Sequence, residues 1–161
     1  MTSHSIKNNI ILRDVSEADL PIFFEQQSEP EANQMAAFPA RERDAFMAHW
    51  AKIMRDENVT LKTILFEGHV AGNIVSWEQD GEQEVGYWIG KEYWGKGIAT
   101  TALAEFLMYV KTRPLYAHVA KHNVASLHVL QKCRFVISGK GRFLEDSVEI
   151  VEIEEVILKL E

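Results

Sequence analysis

Eleven residues, Gly90-Lys91-Glu92-Tyr93-Trp94-Gly95-Lys96-Gly97-Ile98-Ala99-Thr100, set two closely spaced glycines between a β-branched, aromatic run and a strongly apolar helical pattern. Glycines at 95 and 97 let backbone N–H groups converge with no Cβ in the way, and a helix starting near Gly97 adds its positive dipole end. The stretch therefore reads as an anion cradle, and a diphosphate suits it. Two phosphate motifs fit it only in part. Gly90-x4-Gly95-Lys96 satisfies most of G-x-x-x-x-G-K-[ST], but Gly97 stands where the magnesium-binding hydroxyl is required. Gly95-Lys96-Gly97 opens like a dinucleotide fingerprint, but Thr100 takes the place of the third glycine and the preceding strands read as antiparallel.

A second set of residues follows: Asn123 and Ser126, then Leu130, Lys132, Cys133 and Phe135. With this set, the chain resembles the GNAT superfamily of acetyl-CoA-dependent N-acetyltransferases. Trp94-Gly95-Lys96-Gly97-Ile98-Ala99 is similar to the [QR]-x-x-G-x-[GA] pyrophosphate loop, and Asn123-x-x-Ser126 with its followers is similar to N-x-x-S-x-x-x-L-x-K-x-G-F. Trp94 replaces the usual Gln or Arg, as in the branch resembling ribosomal-protein alpha-amino acetyltransferases, the RimJ/RimL-like branch. Arg134 stands where the family has glycine, at the expected end of a helix. The resemblance covers residues 84–138 as motif and the whole chain as element order.

What the resemblance implies is a single-domain GNAT-like fold over residues 1–161, with acetyl-CoA as co-substrate and no metal. The cofactor-binding residues would be Trp88, Ile89, Trp94, Gly95, Lys96, Gly97, Ile98, Ala99, Thr100, Asn123, Ser126 and Lys132. Pantetheine would lie where the strand Glu84–Ile89 splays from the strand Leu115–Val119, pairing like an extra strand. A β-bulge near the end of the first of these strands would free the Ile89 N–H as oxyanion donor. Lys91, Lys96, Lys121 or Lys132 would screen the adenosine phosphates. Many relatives carry a tyrosine acid where this chain has Leu130, so Ser126 is the expected proton donor to the leaving thiolate. Three base candidates stay open: His118, where some relatives carry a glutamate; Glu84, on the face shared with Gly86 and Trp88; and Glu145, by loose alignment. The acceptor's own acidity sets how hard a base must work. A lysine amine near pKa 10.4 costs about 4 kcal/mol to deprotonate at pH 7.5, and an alpha-amine near 7.7 to 8.0 costs under about 1.

The expected product is an amide, formed when a primary amine, borne by a small molecule or a protein or peptide N-terminus, attacks the acetyl-CoA thioester directly. The alternative is a degenerate acyl-CoA-binding sensor, motivated by Leu130 and Arg134; a nucleotide triphosphatase is a third class. Acidic Glu25, Glu29 and Glu31 would attract a cationic acceptor. Met35, Phe38, Phe46, Trp50, Trp77 and Trp88 supply either an apolar slot or plain core. His4, His49, His69, His122 and His128 have no metal-ligand spacing, and Cys133 reads as a core residue.

These groups must be positioned by an α/β (α+β mixed) chain with a central, mostly antiparallel sheet of about seven strands, splayed in the middle and flanked by about four helices. Strands are predicted over Ile10–Arg13, Val59–Phe66, Val70–Trp77, Gln83–Ile89, Leu115–Val119, Phe135–Ser138 and Val148–Leu160. Helices are predicted from the Ser16 cap to about Gln27, over Arg41–Arg55, over about Gly97–Thr112, and from Asn123 or Val124 to Cys133. Ser28–Ala40 reads as loop.

The 161 residues are enough for one domain. With 47% hydrophobic and 25% charged residues they call for a true core. Charge is segregated: residues 91–140 carry a net +6 within a chain of net −7. That balance suits an anionic ligand and disfavours nucleic acid as partner. No apolar run reaches the roughly 20 residues of a bilayer span. One cysteine and a polar amino terminus point to a cytoplasmic protein, with no membrane partner, as monomer or homodimer.

Overall fold

The computed structural model describes residues 9–144 and 152–161. Seven strands, β1 (Ile10–Asp14), β2 (Thr60–Phe66), β3 (His69–Gln79), β4 (Glu82–Ile89), β5 (Leu115–Ala120), β6 (Val136–Leu144) and β7 (Glu152–Leu160), form one sheet in the order β1-β2-β3-β4-β5-β7-β6. Every neighbouring pair is antiparallel except β4 and β5. Those two run parallel and pair only at Gln83–Leu115 and Glu84–Tyr116. Beyond Glu84 the strands diverge, which is the expected splay.

Among the described residues five α-helices accompany the sheet: α1 (Leu20–Gln27), α2 (Pro30–Ala36), α3 (Arg43–Met54), α4 (Ile98–Phe106) and α5 (Val124–Lys132). Strand alternation sends neighbouring side chains to opposite faces. Ile74 belongs to the core cluster that holds Ile98, Leu103 and Phe106 of α4 and Leu130 of α5, whereas Val75 packs against the cluster of Phe23 of α1 and Phe46 and Trp50 of α3. Full burial of each such side chain stabilises the fold by about 1.5–3 kcal/mol.

Four expectations need correction. The segment Ser28–Ala40 is not all loop. Pro30 takes the first turn of α2, the Glu29 side chain accepts from Ala32 N at 2.7 Å, and Ala37 closes the helix with φ +52°. The cap and the proline, not apolar periodicity, make this helix. The helix α4 stops at Phe106, well short of Thr112, with Met108 and Tyr109 exposed beyond it. The strand β6 runs on to Leu144, past the predicted end at Ser138. Finally, the bulge lies elsewhere. The β3–β4 register is unbroken to Gly72–Ile89, and the extra residue is Ala71, between Leu65–Val70 and Ile64–Gly72 of the β2–β3 ladder. Gly72 takes up the distortion there, because a Cβ on it would run into the carbonyl oxygen of Trp88.

Candidate active site

Where β4 leaves β5, its backbone is left with an open edge. The Gly90 N–H donates to the Ala71 carbonyl at 2.8 Å. Alternation along an antiparallel pair then turns the N–H groups of Trp88, Gly86 and Glu84 toward β3, and those of Ile89, Tyr87 and Val85 toward the gap. The close approach of the Trp88 carbonyl to Gly72 agrees with this, since C=O and N–H of a trans peptide point in opposite directions. The Ile89 N–H thus faces the gap without a bulge in β4, and the Ile89 carbonyl accepts from Trp94 Nε1 at 2.9 Å.

On one side of this edge lies a cavity of about 410 Å³, walled by β4, the glycine loop and the first turns of α4 and α5. Of the predicted cofactor residues, Trp88, Ile89, Trp94, Gly95, Gly97, Ile98, Ala99, Thr100, Asn123, Ser126 and Lys132 all line it. Lys96 does not and is exposed. Gly95 and Gly97 have φ +76° and +78°, and a Cβ at either would stand in open space. Gly97 is the N-cap of α4 and no side chain caps that end, so the first-turn amides have no intrahelical acceptor. Lys91, expected to meet phosphate, is instead 2.6 Å from Glu31 and 3.7 Å from Glu29, which fastens the loop to α2. Those two carboxylates thus share one lysine. Lys121 pairs with Glu154 at 3.3 Å.

On the other side a cleft of about 820 Å³ is walled by Trp50, Trp77, Trp88 and Phe38, and His118 also lines it. Phe46 is plain core, and Met35 faces the smaller cavity. His49, on α3, also lines the cleft; burial, with Arg41 and Lys52 nearby, holds its imidazole below the usual range. The two spaces share Ala36, Tyr87, Trp88, Asn123 and Ser126.

At this junction Asn123 caps α5, its Oδ1 accepting from the Ser126 N–H at 3.3 Å. The Ser126 Oγ lies 2.6 Å from the hydroxyl of Tyr87. Burial pushes the Tyr87 phenol up to about 12. Tyr87 is absent from the sequence-based candidates. The signal was the alternation of β4, which groups it with Val85 and Ile89 rather than with Glu84.

The three candidate bases fare differently. Glu145 lies outside the described residues. Glu84 is 6% exposed and His118 Nε2 lies 2.7 Å from its Oε1, while His118 Nδ1 lies 2.9 Å from Glu155 Oε1. Hydrogen bonding to Glu84 first, then to Glu155, outweighs desolvation and lifts the imidazole to about 9. At pH 7 only about one imidazole in a hundred is then neutral, so His118 is a cation under ordinary conditions. The two residues taken as separate bases form one ion-paired unit.

A family profile described as an acetyltransferase (GNAT) domain matches residues 9–136. The chain belongs to the GNAT acetyltransferases. Members of this family are N-acetyltransferases that take the acetyl group from acetyl-CoA. The Bacillus subtilis (strain 168) protein named "Putative ribosomal N-acetyltransferase YdaF" is 29% identical over 107 residues, which is 62% of this chain and 58% of that protein. The chain thus matches under two thirds of the length of that curated relative. The spermidine N-acetyltransferase from Vibrio cholerae, solved with CoA and spermine, is similar at TM-score 0.78 and 19% identity, over 95% of both chains. RimL, a ribosomal L7/L12 alpha-N-protein acetyltransferase solved with coenzyme A, is similar at TM-score 0.72 and 14% identity, over 94% of both. At these identities the likeness is one of fold. For a GNAT chain, the uncapped amides of α4, the Cβ-free Gly95 and Gly97 and the unpaired edge of β4 fit an extended diphosphate-bearing cofactor. Among the described residues, no group of three His, Cys, Asp or Glu side chains could hold a metal ion.

Proposed function

We propose that this GNAT acetyltransferase transfers acetyl from acetyl-CoA to a primary amine by direct attack, with donor and acceptor entering from opposite sides of the sheet. The observation that carries this is the meeting of the two cavities at Tyr87, Trp88, Asn123 and Ser126. The first-turn amides of Ile98, Ala99 and Thr100 hold the diphosphate, with Lys132 beside them. The Ile89 N–H donates to the thioester oxygen as charge develops on it; one such donor typically contributes about 3–4 kcal/mol. Ser126 protonates the leaving sulfur.

The state of His118 bears on the acceptor. A protonated imidazole held between Glu84 and Glu155 on the lining of the acceptor cleft is a poor proton acceptor at neutral pH. The lack of a ready base selects an amine that is readily neutral, which an alpha-amine near pKa 7.7–8.0 is and an alkyl amine near 10.4 is not. We therefore read the acceptor class as alpha-amines of peptides or amino acids.

Thiol titration and mass spectrometry with acetyl-CoA and a panel of spermidine, an aminoglycoside, free amino acids and a lysine-free tripeptide test both levels. Turnover with the tripeptide or an amino acid above that with spermidine is expected. Binding of CoA with no turnover on any amine overturns the enzymatic reading. Turnover confined to spermidine overturns only the acceptor class.

A further inference from the structure

The junction holds one hydroxyl that the family comparison leaves without a role. Tyr87 comes from β4 and Ser126 from the first turn of α5, two elements that the splay would otherwise leave apart. Their oxygens are 2.6 Å apart, a short hydroxyl–hydroxyl bond. Tyr87 is mostly buried yet lines both cavities, and Ser126 Oγ is the only side-chain group bonded to its hydroxyl among the described residues. A phenol is the stronger acid of the two hydroxyls, so it is the better donor. With the phenol donating, the serine proton is left to point elsewhere, and Ser126 lines the cavity on the donor side as well as the cleft.

We propose that Tyr87 is the proton-relay partner of Ser126 in the acetyl transfer: its hydroxyl donates to Ser126 Oγ, aims the serine proton at the departing sulfur, and replaces that proton when it is given up. This rests on the proposed role of Ser126. The step balances without an outside reagent. The N–C bond forms, the C–S bond breaks with its electron pair going to sulfur, and Ser126 gives its proton to that sulfur. Ser126 takes the Tyr87 proton, and Tyr87 recovers the proton that the nitrogen sheds on becoming an amide. Burial keeps the phenol protonated up to about 12, so the pair is loaded throughout the neutral range.

The test uses the full chain with acetyl-CoA and the lysine-free tripeptide as acceptor. Tyr87→Phe is expected to lower kcat by about 10–100-fold, with the dissociation constant for CoA, measured by calorimetry, changed less than about threefold. The Tyr87→Phe/Ser126→Ala double variant is expected to be no slower than Ser126→Ala alone, because groups acting as one unit are not additive. A separate readout needs no turnover. In the ligand-free chain with tyrosine labelled at Cζ, the resonance assigned by its loss in Tyr87→Phe should shift on Ser126→Ala. A rate unchanged in Tyr87→Phe, losses that multiply in the double variant, a Cζ signal indifferent to Ser126, or a loss confined to CoA affinity would each overturn the proposal. Absence of turnover in the unmodified chain with every amine overturns the enzymatic reading itself, and that outcome is distinct from an active chain indifferent to Tyr87.

Discussion

His118 Nε2 meets Glu84 Oε1 at 2.7 Å two residues past Tyr116, the residue that faces Glu84 on the last β4–β5 rung, and Glu155 holds the other ring nitrogen from β7. The ion-paired unit thus staples three strands at the apex of the splay. The imidazole rises from 6.5 to about 9 on folding, so the unit's contribution is complete below about pH 6.5 and disappears as pH climbs through 9. At full strength this shift is worth about 3 kcal/mol. With the side chain 37% exposed, solvent screening brings the expected contribution down to about 1 kcal/mol. Urea unfolding of the parent and of His118→Gln at pH 6 and pH 10 should show that difference at pH 6 and its disappearance at pH 10.

The same pairing bears on rate. A histidine that titrates near 9 cannot produce an acid limb near neutrality in kcat/KM. If an acid limb near pH 7.5 to 8 is seen, it should survive His118→Gln, because it then belongs to the free acceptor amine. A limb abolished by that change would restore His118 as the base.

Gly97 should be intolerant of an acidic side chain for reasons of function rather than packing. Its Cβ direction is open, so a side chain fits, and the cost to the fold is the left-handed backbone at φ +78°, about 1 kcal/mol. The same side chain would enter the cavity beside the α4 amides and bring a negative charge to a diphosphate. Gly97→Glu is expected to weaken CoA binding at least about 100-fold by calorimetry, while the circular dichroism spectrum stays that of the parent.

Gly72 presents the opposite case. A Cβ there meets the Trp88 carbonyl and the backbone of Ile89, neither of which can move without breaking the β3–β4 register. Gly72→Ala is expected to destabilise the chain by about 3 kcal/mol in chemical denaturation. It should also impair turnover, because the peptide it displaces carries the Ile89 N–H.

How much of this was legible before the structure depends on the kind of signal. The glycine loop and Asn123-x-x-Ser126 are local, and both line the cavity where the family resemblance put them, because helix N-termini are set by short-range chemistry. Tyr87 and Glu155 were invisible for a different reason. Each matters only through a partner on another element, Ser126 on α5 or His118 on β5, and how two elements meet across a splayed sheet is not written in either one alone. The helix α2 was missed because its cap, Glu29, has none of the usual residue types, and seven residues are too few to establish a period.

Arg134 is where an oddity in the sequence became measurable geometry. It follows the C-cap Cys133, its N–H donates to the Gln131 carbonyl at 3.0 Å, and the next N–H, of Phe135, donates to the Leu130 carbonyl at 3.0 Å. These are the two bonds of a Schellman ending, sealed by Leu130 and Phe135 in the core. The turn needs a left-handed residue, and Arg134 supplies it at φ +75° where a glycine would do so without a Cβ penalty. Relief of that strain exceeds the added freedom of an unfolded glycine by about 0.5–1 kcal/mol. Arg134→Gly should therefore raise Tm by about 1–4 °C in a calorimetric scan. A lower Tm would mean that the arginine side chain makes a contribution larger than the strain it imposes.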